Sequence, residues 1–201
     1  MFPYRPSASI RHAARLGAGL TLAAALAACG SQGAPKSAAA EPSGHGSAGP
    51  AACASGSLHV ALDAGAAGVA AGSSFVPLDF TNATRASCTL SGYPAVGFAS
   101  SLAGPLIGTE GSAAKGVQSA SLVLAPGEVA HAWLQILNVA NYPADECKLA
   151  QASGLRVGFG STQAATFLAH PFQACSSGTR GSDVLAVYPV QAGPAKRGTA
   201  P

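Results

Sequence analysis

The residues with the most chemistry in this chain are its five cysteines, Cys29, Cys53, Cys88, Cys147 and Cys175. A structural zinc site usually takes two of its ligands from positions a few residues apart. The last four cysteines are separated by 35, 59 and 28 residues and no Cys-x-x-Cys occurs, so neither a metal site nor a paired-thiol redox motif is expected. Nucleophilic hydrolysis needs a Ser or Cys beside a base, and an acid that orients the base. Between residues 53 and 190 the histidines are His59, His131 and His170, and the aspartates are Asp63, Asp79, Asp145 and Asp183. Nothing in their spacing selects a triad, and no Gly-x-Ser-x-Gly elbow is present. Glu110 and Glu128 would be a carboxylate pair only if Glu128 left the turn in which it is expected to sit in water. Gly158-Phe159-Gly160 precedes no helix, so it is not a phosphate cradle. No catalytic residue, metal or cofactor is therefore assigned, and the expectation is a protein that is not an enzyme.

Cys29 belongs to a different chemistry. Arg5, Arg11 and Arg15 precede an uncharged run over residues 16–28 that ends Leu26-Ala27-Ala28-Cys29-Gly30. A membrane-spanning helix needs about 20 apolar residues. This run is shorter and fits the apolar region of a signal peptide. Its end resembles a bacterial lipobox, in which the cysteine thiol receives a diacylglyceryl group and cleavage follows just before it. Residues 1–28 are thus expected to be a removed lipoprotein signal peptide, with Cys29 the site of lipid attachment. Two acyl chains suffice for stable anchoring without a protein span. The expected location is the outer face of the bacterial cytoplasmic membrane.

Such a compartment is oxidising, so Cys53, Cys88, Cys147 and Cys175 are expected to form disulfides. Four cysteines allow three pairings. The sequential one, Cys53–Cys88 with Cys147–Cys175, is favoured because it clips each terminal strand to its own half of the domain.

Composition sets outer bounds on function. Hydrophobic residues make up 48% of the 201 and charged residues 9%, against about 25% charged in ordinary soluble domains. The formal charge of +3 lies in the leader: without its three arginines, eight basic residues face eight acidic ones. A basic nucleic-acid binder, an acidic solvating chain and a charged coiled coil are all excluded. A single Met argues against a thioether copper site.

These residues need elements to position them. Residues 29–52, the lipidated cysteine and a Gly/Ala/Ser/Pro run, bury too little apolar surface to order and read as a disordered tether. Its reach is about 26 Å as a flexible linker. His45 within it is incidental. Residues 191–201 read as a flexible tail. Between them, residues 53–190 read as eight or nine short strands with turn signals and no 3.6-residue period, an antiparallel β-sandwich. Strands are expected at 58–62, 75–82, 93–99, 105–109, 155–159, 166–168 and 183–190. Pro77 demotes part of the second to an edge or strand-entry position. The clearest hairpin joins 119–124 to 129–137 through Ala125-Pro126-Gly127-Glu128, a type II turn sequence.

The last of these strands carries the candidate binding residues. Ala130, Ala132, Leu134 and Ile136 make a uniformly apolar face, and His131, Trp133 and Gln135 lie on the other. Trp133 with His131 beside it suits contact with a sugar ring or a partner protein. The alternatives are that Trp133 packs under a loop, or that the faces are reversed and it is core. Asn141-Tyr142-Pro143 reads as a loop held by Cys147, and Asn82-Ala83-Thr84 matches a glycosylation sequon of little weight in a bacterial lipoprotein.

Phe80-Thr81-Asn82 followed by Cys88-Thr89-Leu90-Ser91-Gly92-Tyr93-Pro94-Ala95-Val96 resembles the actinobacterial lipoprotein family called domain of unknown function 4232. The order of features also fits that family: a lipobox, a tether, Cys53, the Gly-Tyr-Pro motif, Pro126-Gly127, Cys147 and Cys175, and a closing Val187-Tyr188-Pro189-Val190. The resemblance spans nearly all of residues 53–190. It implies an immunoglobulin-like sandwich in the cell envelope and carries over no catalytic residues. The expected function is a lipid-anchored, non-catalytic module that binds an envelope protein or glycan and no nucleic acid. The alternatives are an envelope hydrolase with a dispersed site and a purely structural surface lipoprotein.

Overall fold

The computed structural model describes residues 49–159, 165–177 and 184–201. The expected leader, Cys29, His45, Gly160 and Asp183 lie outside the described residues. In chain order the strands are β1 (Leu58–Leu62), β2 (Gly68–Ala70), β3 (Ser73–Asn82), β4 (Cys88–Ser91), β5 (Ala95–Ala99), β6 (Ser112–Ala113), β7 (Ser121–Leu124) and β8 (Val129–Leu137). A four-residue helix α1 (Ala144–Cys147) follows, then β9 (Leu149–Gly158), β10 (Thr166–Cys175), β11 (Leu185–Val187) and β12 (Gln191–Ala192). The largest sheet runs β1-β3-β8-β11-β6, with β2 beside β3 and β12 beside β8. A second sheet runs β10-β9-β5, and β4 pairs with β7. The molecule is the expected all-β sandwich.

Alternation along β3 and β8 builds its core. Val76, Leu78 and Phe80 of β3 and Ala130, Ala132, Leu134 and Ile136 of β8 point inward. They meet Val96, Phe98, Leu155 and Val157 of the second sheet. Each fully buried Leu or Phe contributes roughly 1.5–3 kcal/mol. The uniformly apolar face of β8 is thus the core face. Both disulfides form in sequential order: Cys53–Cys88 ties the incoming chain to β4, and Cys147–Cys175 ties α1 to the end of β10.

Several local expectations are corrected. The Pro126-Gly127 turn forms, with Gly127 at φ +78° and Glu128 N–H donating to Ala125 O at 3.0 Å. It does not make a hairpin, because β7 pairs with β4 while β8 pairs with β3, β11 and β12. Pro77 sits in the middle of an interior strand. Its carbonyl accepts Asp63 N–H on the side where β1 ends and β2 has not begun, so the missing N–H leaves no ladder bond unmade. Residues 105–109 form no strand, only a bridge from Leu106 to Ala99. β10 is longer than expected because it continues through a bulge between Ala169 and Phe172. The last residues of the expected tether are ordered: Ala51 O accepts Thr89 N–H and Ala52 bridges to Thr89. The expected flexible tail is also ordered, since Gln191 and Ala192 pair with His131 and Ala130.

The two ends of the sandwich differ. The incoming chain, Cys53–Cys88, Asn82 and the Pro126-Gly127 turn lie together at one end, where Asn82 exchanges backbone bonds with Gly127 and Glu128. Ser73 and Leu137 lie at the other, nine residues along the β3–β8 ladder, roughly 30 Å away.

Candidate functional site

The Ser73–Leu137 end has the β2–β3 hairpin on one side and the bulged part of β10 on the other. A groove of about 900 Å³ opens there. Its floor continues the core face: Val76 of β3, Ile136 of β8, and Val139 just beyond it. One wall is the β2–β3 hairpin. Val69 pairs with Ser74, which shares its face with Val76, so both side chains stand over the groove. Val69 is 85% exposed, the most exposed large apolar residue among those described. The other wall is the bulged part of β10, with His170, Pro171 and Phe172. The Phe172 ring packs edge-on against His170 at 4.9 Å and tilts toward Phe98 at 5.7 Å.

Two backbone irregularities shape these walls. β2 and β3 are joined by Ala71 at φ +47° and Gly72 at φ +76°, the left-handed pair of a type I′ turn. Asn138 N–H donates to Gly72 O at 2.9 Å, fixing the hairpin tip above the floor. On β10, Pro171 has no N–H to give a ladder, which explains why the extra residue of the bulge falls there. Among the described lining residues His170 is the only ionisable side chain, with no Asp, Glu, Lys or Arg beside it.

Trp133 and His131 are elsewhere. They lie on the outer face of β8, their rings edge to face at 6.1 Å. Trp133 is 1% exposed and His131 7%. Trp133 packs with Phe75, Ala66 and Ala195, flanked by Tyr188 and Ala200. The His131 ring bonds Gly193 O through Nδ1 at 2.7 Å, and Ala195 N–H reaches Asp79 Oδ1 at 3.5 Å. Arg197 clamps the cover by donating to Gly65 O. The expected binding pair is thus corrected: the chain's own C-terminal residues cover both rings, and Trp133 packs under a loop. Packing under a loop was among the sequence readings; which segment supplies the loop was not legible, because residues 193–200 are mostly small and look like a frayed end.

The remaining candidates have structural roles. His59 is exposed on β1 opposite Thr81. Asp63 Oδ1 accepts the N–H groups of Gly65 and Ala66, closing a turn. Glu128 accepts Ala125 N–H at 2.8 Å across the Pro-Gly turn. Asp145 is exposed in α1. The sequon residue Asn82 is 1% exposed. Its amide donates to Ala86 O and Leu124 O, and its Oδ1 accepts from Thr84, so both sequon side chains hold a corner. Asn141 and Tyr142 belong to the turn that leads into α1. In the Gly-Tyr-Pro motif, Gly92 has φ +89° and Tyr93 Oη donates to Val117 O, tying down the segment between β6 and β7. Sequence reading missed the groove because residues 63–74 look like a Gly/Ala turn. The usable signals were Val69 beside a left-handed Ala71-Gly72 pair, and His170-Pro171 interrupting a strand.

Among the described residues no helix is long and apolar enough to cross a membrane, and no three His, Cys, Asp or Glu side chains cluster to hold a metal. No curated protein and no solved structure matches the chain. Residues 53–191 match the family described as Domain of unknown function (DUF4232), from Cys53 to the first residue of β12, and the chain belongs to that family.

Proposed function

We propose that the protein is an actinobacterial envelope lipoprotein, held at the outer face of the cytoplasmic membrane by a diacylglyceryl group on Cys29, and that its sandwich is a non-catalytic binding module. The observation that carries the binding reading is the open apolar groove at the end of the sandwich away from the incoming chain. A concave and mostly apolar recess is the usual form of a binding site. Binding is favoured over turnover because, among the described residues of the lining, no carboxylate and no cysteine stands beside His170. The lipid anchor is supported by Leu26-Ala27-Ala28-Cys29, and two disulfides fit an oxidising compartment.

The test is a photo-crosslinking amino acid placed at Val69 in living cells, with Val123 as the control. Val123 is 57% exposed on β7 and does not line the groove. Discrete, saturable adducts at position 69 and none at 123 are expected. Equal labelling at both positions, or none at either, overturns the reading.

A further inference from the structure

We propose that the groove receives an extended, uncharged peptide of a partner protein, laid as an added strand along the outer edge of β2. This rests on the binding-module reading above and names the class of partner. Three observations point the same way. First, among the described residues β2 pairs with β3 on one side and with no strand on the other, and residues 68–70 also line the groove. A strand edge presents a row of N–H and C=O groups that a peptide satisfies directly. Second, an added strand projects alternate side chains to opposite faces. One set would stand on the groove side next to Val69, and the other would meet water. Third, among the described residues the lining carries no Asp, Glu, Lys or Arg, which suits a segment that is itself uncharged.

The described residues begin beside Thr89, at the end of the sandwich opposite the groove. Two other occupants fit less well. A sugar would set its hydroxyls against Val and Ile, where they lose water without gaining partners. An acyl chain would cover the β2 edge and leave its backbone groups unpaired.

The experiment uses the full chain, biotinylated at its amino end, and a random decapeptide library displayed on phage. Wild-type protein is expected to enrich uncharged sequences with apolar residues at alternate positions. Synthesised with blocked ends, these peptides should lose at least tenfold in affinity to Val69→Arg and none to Val123→Arg. They should also lose binding when alternate backbone nitrogens are methylated in one of the two registers. Both substituted side chains are exposed, so thermal melts should confirm that each variant folds. No enrichment over Val69→Arg, charged consensus sequences, or binding that survives methylation in both registers overturns the proposal. If the Val69 cross-link captures a glycan or a lipid while the library stays unenriched, the binding module stands and the peptide does not. If neither yields a ligand, both fall.

Discussion

Asp79 stands directly across the β3–β8 ladder from His131, and backbone from the C-terminal segment lies over both side chains. Gly193 O takes the imidazole and Ala195 N–H takes the carboxylate. A stretch that reads as a loose end is thus the cover of the outer face, and its loss would expose a titratable pair and the chain's single Trp together.

Burial raises the Asp79 carboxyl above its ordinary value of 3.8; the Ala195 amide opposes that shift, Asp63 adds to it and His131 opposes it. A raised folded pKa means that the folded chain holds this proton more tightly than the unfolded one. The stability contributed is then complete below pH 3.8 and is lost as pH rises through the raised value. Asp79→Asn keeps an acceptor for Ala195 N–H and carries no charge. It should melt above wild type at neutral pH, with the two curves converging at acid pH. Melts that run parallel from pH 3 to 8 would refute this.

Ending the chain at Ala192 should uncover Trp133, because Ala195 and Ala200 pack against its cluster. A red-shifted emission, stronger quenching by acrylamide and a loss of about 2 kcal/mol are expected. Since Trp133 is the only Trp, the signal is unambiguous. Unchanged quenching would show that other residues provide the cover.

Reduction should add about four hydrogens to the intact mass, two for each of the two disulfides. Replacing Cys147 and Cys175 together by Ser opens a loop of 28 residues and should cost about 3.5 kcal/mol on the chain-entropy account. Chemical denaturation measures it, and a loss below 1 kcal/mol would count against the staple.

Ala71 holds a left-handed conformation, which costs a residue with a Cβ about 1–2 kcal/mol. Ala71→Asn supplies the Asn-Gly pair that type I′ turns prefer. The urea midpoint should rise by an amount equivalent to about 1 kcal/mol with an unchanged slope. A lower midpoint would mean that the hairpin tip is not built as described.

Cys29→Ala should release the protein from the membrane fraction or leave its leader uncleaved. Normal incorporation of a labelled fatty acid into that variant would remove the lipid assignment.

Much of this protein is legible residue by residue. Alternation in 75–82 and 129–137 gave two central strands and the correct core face of β8, because a period of two needs only local geometry. Cysteine number and order favoured the disulfides that form, and Pro126-Gly127 gave its turn, because positive φ at Gly is a local preference. Partnership was not legible. Whether β7 pairs with β8 or β4 depends on which sheet buries Leu124, and a turn sequence carries no information about that. Pro77 is tolerated inside a sheet only because β1 and β2 leave a gap beside it. Trp133 is buried by residues some sixty positions away whose sequence is small and plain. The groove forms between the β2–β3 hairpin and the bulge of β10, segments about a hundred residues apart in the chain. Local sequence sets what each segment can be, and burial by distant segments decides which surfaces remain for a partner.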